Sequence, residues 1–288
     1  MPPFLTPSST AASLEPTVNG GGSVAAPIDS RPSGLNGEID LSSVLSAAGF
    51  VAAEEEASEL LDAAAGDRAV LHSLVQRRLA GEPLAWLVGR VTFAGIDLVI
   101  HPGVYVPRWQ STELARRAAA HLPARGVAVD LCTGSGAIAA FLRQARPSAK
   151  VFATDTDGRA IANAQANGIS AYLGESFSPL PENLVGEVDV VVGVVPYVPS
   201  NALAFLPRDT MVHEDITHYD GGTDGLAVLQ QVIAVAPEYL APGGTLLLEL
   251  GGDQAQLLAP LLSEVGYSDV CTWDDDDGDL RGLQAHYD

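Results

Sequence analysis

The chain has 288 residues, 47% of them hydrophobic, enough for one large or two modest domains around a sizeable core. Its 15 Lys and Arg stand against 36 Asp and Glu, a formal net charge of −21, which argues against direct nucleic-acid binding because phosphate recognition needs clustered cations. Cys132 and Cys271 have no disulfide-framework spacing, no signal peptide is read, and no apolar run approaches the ~20 residues of a membrane span. A cytoplasmic protein off the membrane is expected.

Residues 1–38 alternate Pro2, Pro3, Pro7, Pro16, Pro27 and Pro32 with Ser, Thr and Gly20-Gly21-Gly22. Such a stretch cannot bury enough apolar surface to offset its ordering entropy, so a disordered tail is expected. Residues 39–90 read as a small helical lobe. Asp40 can cap Leu41 to Ala48. Glu54, Glu55 and Glu56 sit in the first turn of a helix from Ala53 to Ala65, where the dipole favours them. Asp67 can cap a third helix in which Val70, Leu71, Leu74, Val75 and Leu79 repeat at helical spacing. Arg77 and Arg78 fall off that stripe and are expected in solvent. Residues 91–106 form a linking hairpin: Val91 and Phe93 alternate with smaller residues, Ala94-Gly95 makes the turn, and Ile96, Leu98 and Ile100 alternate on the return.

Residues 107–288 alternate helix and strand. A helix from Thr112 to His121, capped by Ser111 or Thr112, precedes strands at Val127–Cys132, Lys150–Asp155, Ala171–Gly174, Val188–Val194 and Thr245–Leu250, with helices between most of them. That order makes parallel strands joined by crossover helices. Ser268–Trp273 and Gly282–Tyr287 read as a final antiparallel pair around an acidic loop, Asp274 to Asp277, taken as solvated.

Chemistry concentrates at two strand ends. Val127 to Cys132 breaks at Gly134 and Gly136 and runs into an apolar helix, the ligand-binding corner of an open α/β sheet. Gly134-Ser135-Gly136-Ala137-Ile138-Ala139 formally fits a dinucleotide fingerprint. Asp130 on the strand end, however, would repel a pyrophosphate lodged on the helix N-terminus. It suits a ligand with a cationic head, such as the ammonium and sulfonium of S-adenosylmethionine; the bland alternative is that Asp130 caps the turn. Asp155, ending the next strand, binds ribose hydroxyls in either reading. The second stretch is the apolar run Val188 to Val194, whose end, Val194-Val195-Pro196-Tyr197, shares the same sheet edge. His213, Glu214 and His218 lack a one-face helical spacing, so a metal site there is weakly supported.

With those motifs in order, residues 77–251 resemble the HemK-type protein-glutamine methyltransferases, which act on peptide-chain release factors, and their ribosomal-protein relatives. The resemblance rests on Arg77-Arg78, Gly81-Glu82-Pro83, Gly89, Phe93, Gly95, Pro107-Arg108, Asp130 to Gly136, His213-Glu214 and Gly221 to Leu226. The Val-Pro-Tyr-Val-Pro ending is closer to an actinobacterial-looking branch of the family. The resemblance implies a seven-strand Rossmann-like S-adenosylmethionine-dependent methyltransferase fold. Asp130, Thr133, Gly134, Ser135 and Gly136 would face the methionine part of the cofactor, Asp155 would hold the ribose, and Glu175 and Ser176 would lie near the adenine.

The chain departs from the family in two places. The signature Asn-Pro-Pro-Tyr is here Val194-Val195-Pro196-Tyr197, so the side-chain acceptor for the substrate amide is missing, while the Val195 carbonyl and the Tyr197 ring remain. A lost bond to a buried N–H costs roughly 1–3 kcal/mol. Three residues, not the usual two, separate Arg108 from Thr112-Glu113. The alternatives are therefore a methyltransferase for another acceptor, a small molecule or another protein, or a catalytically silent S-adenosylmethionine-binding relative; a nicotinamide dehydrogenase is disfavoured by Asp130.

Overall fold

The computed structural model describes residues 40–206 and 208–288. The expected N-terminal tail lies outside them. The first four helices are α1 (Leu41–Ala47), α2 (Ala53–Ala64), α3 (Arg68–Leu79) and α4 (Leu84–Val88). Asp40 caps α1 through the Ser42 N–H, and Asp67 caps α3 through Ala69 and Val70, each carboxylate satisfying a donor left over by the first turn. Leu45, Leu60, Leu74 and Leu87 share a small core.

Arg77 stays at the surface, paired with Glu82, but Arg78 does not. It is buried, pairs with Glu56 at 2.6 Å and lies 4.0 Å over the Phe50 ring. An arginine stem covers apolar surface while its head is paired, which an apolar-stripe count scores as solvent. The five-residue helix α4 was not anticipated, being too short to show a period. Its Trp86 indole donates to the Val104 carbonyl at 2.8 Å and ties this region to the segment after the hairpin.

Strands β1 (Arg90–Phe93) and β2 (Ile96–Val99) pair antiparallel around Ala94-Gly95. The N–H groups of Val99 and His101 donate to Asn167 and Asn163 at 2.9 and 2.6 Å, pinning the hairpin beside the third sheet helix, given below as α7. This brings Tyr105 and Pro107 over the glycine turn.

The remaining elements are α5 (Thr112–His121), β3 (Val127–Leu131), α6 (Ala137–Ala145), β4 (Lys150–Asp155), α7 (Gly158–Ala166), β5 (Ser170–Leu173), β6 (Val188–Gly193), α8 (Arg208–His213), α9 (Ala227–Tyr239), β7 (Leu240–Glu249), α10 (Gln254–Val265), β8 (Tyr267–Asp274) and β9 (Leu280–Tyr287). The seven-stranded sheet runs β5-β4-β3-β6-β7-β9-β8. Its first five strands are parallel and β9 is antiparallel to both neighbours. This is the seven-strand Rossmann-like sheet expected of the sequence. Val190 and Val192 face a core built with Leu114, Ile138 and Leu142; Val191 and Val188 face the opposite core with Leu229, Ile233 and Leu258. Burial on both faces is why β6 is apolar throughout. Among the described residues no helix is long and apolar enough to cross a membrane.

Candidate active site

All five parallel strands end at one edge, and the chemistry-bearing residues follow those ends. After Leu131 the chain turns through Cys132 and Gly134, at φ 53° and 55°, and enters α6 from Gly136 at φ 81°. At Gly136 a side chain would also sit 3.0 Å from Ala164 Cβ, so the helix that carries Ala164 packs close against the turn, and the positive φ adds strain for any residue but glycine.

The turn satisfies most of its own donors. Gly134 N–H donates to Asp155 Oδ2 at 2.9 Å and Gly136 N–H to the Thr133 carbonyl at 2.9 Å. Asp130 Oδ2 accepts both the Thr133 hydroxyl at 2.6 Å and the Ala139 N–H at 3.1 Å. The N–H groups of Gly134, Gly136 and Ala139, which a diphosphate at this turn would draw on, are thus already bonded within the protein. Asp130 does cap the turn, as the bland alternative held, and it also lines a cavity. Burial pushes its carboxyl up to about 7, against the two hydrogen bonds that favour the anion. Asp155 is also raised by burial; its other oxygen takes the Asp157 N–H at 2.9 Å.

A cavity of ≈ 30 Å³ lies between this turn, the hairpin linker and β6, lined by Asp130, Thr133, Ser135, Ser111, Tyr105 and Val194 among others. The structure thus brings Val194 to the glycine turn. Val195 is buried behind it in the second core. Glu175 and Ser176 open instead onto a separate cavity of ≈ 270 Å³ against α9, with Gln231 and Tyr239 in its wall.

Tyr197 is held from three sides. Its hydroxyl donates to Glu249 Oε1 at 2.9 Å and its carbonyl accepts from Gln254 Nε2 at 2.7 Å. Gly221 and Gly225 pack directly on it: a Cβ on Gly225 would lie 2.4 Å from the Tyr197 carbonyl oxygen, and one on Gly221 2.8 Å from its Cα. Gly221 and Gly225 are what let this segment close on Tyr197.

Four side chains take parts here that the sequence did not assign them: Glu249, Ser111, Arg108 and Tyr105. Glu249 ends β7 buried, accepts Ser111 Oγ at 2.6 Å, and has its carboxyl raised by burial. An acid closing the apolar run Leu246-Leu247-Leu248 is the signal that marked Asp130, and it could have marked Glu249 too. Ser111 does not cap α5; its hydroxyl is spent on Glu249. Arg108 pairs with Glu214 at 2.6 Å and reaches the Tyr219 hydroxyl at 2.9 Å, 5.3 Å from the Tyr105 ring. The Tyr105 ring lies tilted against Tyr219 and edge-on to His218, with centroids at 5.7 and 6.4 Å, and roofs Gly134. Of the three groups considered for a metal, Glu214 serves Arg108 and Tyr219, His213 faces the Ala80 carbonyl, and His218 lies 3.8 Å from Asp157.

No family model matches the chain. Curated proteins do. The release factor glutamine methyltransferase of Geobacter sulfurreducens is 34% identical over 216 residues, 73% of this chain and 75% of that one. That of Moorella thermoacetica is 37% identical over 219 residues, 72% and 75% of the two chains. The chain belongs to the release factor glutamine methyltransferase family. Like the family, it is an S-adenosyl-L-methionine-dependent N-methyltransferase with the seven-strand Rossmann-like fold. Solved structures align more loosely: a ribosomal protein L11 methylase from Lactobacillus delbrueckii subsp. bulgaricus (TM-score 0.47, 16% identity, 66% of this chain and 84% of that one) and a methyltransferase from Pyrococcus furiosus (TM-score 0.45, 23% identity, 67% and 89%).

Proposed function

We propose that this protein methylates the side-chain amide of a glutamine in a peptide-chain release factor or a related translation protein such as a ribosomal protein. The observation that carries the reading is that Val194, at the start of the Val-Val-Pro-Tyr turn, lines the same cavity as Asp130 of the glycine turn. Cofactor corner and acceptor turn thus share one small space. Both relatives described above are named release factor glutamine methyltransferase.

In this reading the cofactor runs along the strand ends: Glu175-Ser176, which border the separate cavity against α9, Asp155 and the Asp130 turn follow β5, β4 and β3, which are neighbours in the sheet. At about 4.8 Å per strand they span roughly 10 Å, in the order adenine, ribose, methionine. The residues fit S-adenosylmethionine: carboxyl groups stand at Asp130 and Asp155, and the Gly134, Gly136 and Ala139 N–H groups are already bonded inside the protein. When bound, it supplies a methyl group made electrophilic by the sulfonium. Asp130 and the 133–136 turn would hold its cationic end, and Asp155 its ribose. The next strand, β6, delivers the acceptor. An amide nitrogen is a poor nucleophile because its lone pair is delocalised, so the chain's task is orientation. The Val195 carbonyl would accept one amide N–H and the Tyr197 ring would pack on the amide plane, aiming the nitrogen for in-line displacement.

The test is transfer of labelled methyl from S-adenosylmethionine into a purified bacterial release factor, with titration of S-adenosylhomocysteine and NAD alongside. Label on a glutamine side chain and preference for S-adenosylhomocysteine support the reading. Tight cofactor binding with no label on the factor, while a small molecule or another lysate protein is labelled, replaces the proposed acceptor.

A further inference from the structure

Val194 gives the cavity an apolar wall, with no acceptor for the N–H groups of a substrate amide that leaves water to enter it. We propose that Ser111 supplies the hydrogen-bond acceptor that Val194 withholds, with Glu249 acting behind it as a positioning residue. The proposal rests on the amide-methylating reading above.

Ser111 and Val194 line the same cavity. Ser111 is 3% exposed, and its hydroxyl hydrogen is committed to Glu249 Oε2 at 2.6 Å. A hydroxyl that spends its only hydrogen on a carboxylate keeps its lone pairs for another donor and is polarised toward accepting. The placement follows from the sheet. Gly193 pairs with Leu248 across β6 and β7, so Val194 and Glu249 occupy the next step on adjacent strands. Glu249 fixes Ser111 with one oxygen and the Tyr197 hydroxyl with the other. One buried carboxyl thereby fixes both Ser111 in the cavity wall and the Tyr197 side chain. Thr133, another hydroxyl lining the cavity, donates to Asp130 on the opposite, cofactor side. The two departures from the family pattern, at 194 and at 109–111, also converge here: what one removes, the other returns from a different element.

The experiment measures kcat and KM for methyl transfer into a release factor, with S-adenosylhomocysteine affinity as the fold control. Ser111→Ala is expected to lower kcat about 10- to 100-fold, the effect of one buried hydrogen bond, with cofactor affinity held. Adding Val194→Asn to that variant is expected to restore most of the loss, which a merely structural serine would not allow. Glu249→Gln is expected to lower kcat with cofactor affinity held. If Ser111→Ala does not fold, Ser111→Thr and Ser111→Val form an isosteric pair: activity only with Thr supports the proposal, equal activity overturns it. Wild-type kcat in a folded Ser111→Ala, or no recovery on adding Val194→Asn, overturns it while the proposed function stands. A wild-type protein that binds cofactor but does not label the factor removes the proposed function, and this inference with it.

Discussion

The hydroxyl of Thr133 donates to Asp130 Oδ2 at 2.6 Å, and the same oxygen takes the Ala139 N–H. One oxygen thus does the structural work of the side chain. An asparagine oxygen can accept both bonds, so Asp130→Asn keeps the turn. The charge is another matter. Burial raises this carboxyl to about 7 from the ordinary 3.8. The folded protein therefore holds a proton that the unfolded chain has released between those values, and this group's contribution to stability falls as pH rises through that window. Above pH 7, Asp130→Asn should melt no lower than wild type. Its affinity for S-adenosylmethionine should fall at least about tenfold, because a negative partner for the cationic end is gone. A variant with unchanged affinity would show that Asp130 is only a cap.

The same carboxyl makes cofactor binding pH-dependent. A cationic ligand favours the ionised form, so below pH 7 binding must first expel a proton. Affinity by calorimetry should decline as pH falls from 8 to 6, by up to about tenfold per unit below 7, and Asp130→Asn should flatten the curve. Wild-type affinity independent of pH in that range would disconnect Asp130 from the ligand.

Gly225→Ala places a Cβ 2.4 Å from the Tyr197 carbonyl oxygen at a φ of 76°. The clamp on Tyr197 must shift. Misplacing an orienting group by about 1 Å costs on the order of 100-fold in rate, so kcat should fall by that order with cofactor affinity retained. Gly243→Ala, at φ 78° with nothing within 4 Å, carries similar backbone strain at the opposite end of β7 and should leave kcat alone.

Arg78→Ala removes the guanidinium from Glu56 and from the Phe50 ring. Breaking a buried pair from one side costs about 3 kcal/mol, because the remaining charge is left without its partner. Denaturant unfolding should show a loss of that order, whereas Arg77→Ala at the exposed Glu82 pair should cost under about 1 kcal/mol.

The sheet was legible because β3, β4 and β6 are apolar runs of strand length separated by helix-period segments. Asp130, Asp155 and Val194 were legible because they end those runs. What was not legible depends on tertiary approach. Arg78 looks like a surface residue until Glu56 and Phe50 close over it. Ser111 looks like a helix cap because its partner, Glu249, lies 138 positions away in the chain. Tyr105 comes to Gly134 only because the hairpin is pinned to α7 through Asn163 and Asn167.

The most direct measurement is fragment mass spectrometry of a release factor after incubation with this protein and isotope-labelled S-adenosylmethionine. One labelled methyl on a glutamine side-chain nitrogen, formed at least about tenfold more slowly when Asp130→Asn replaces the wild type at limiting cofactor, is the predicted result. A factor that emerges unlabelled, or labelled on a residue without a carboxamide, would contradict it.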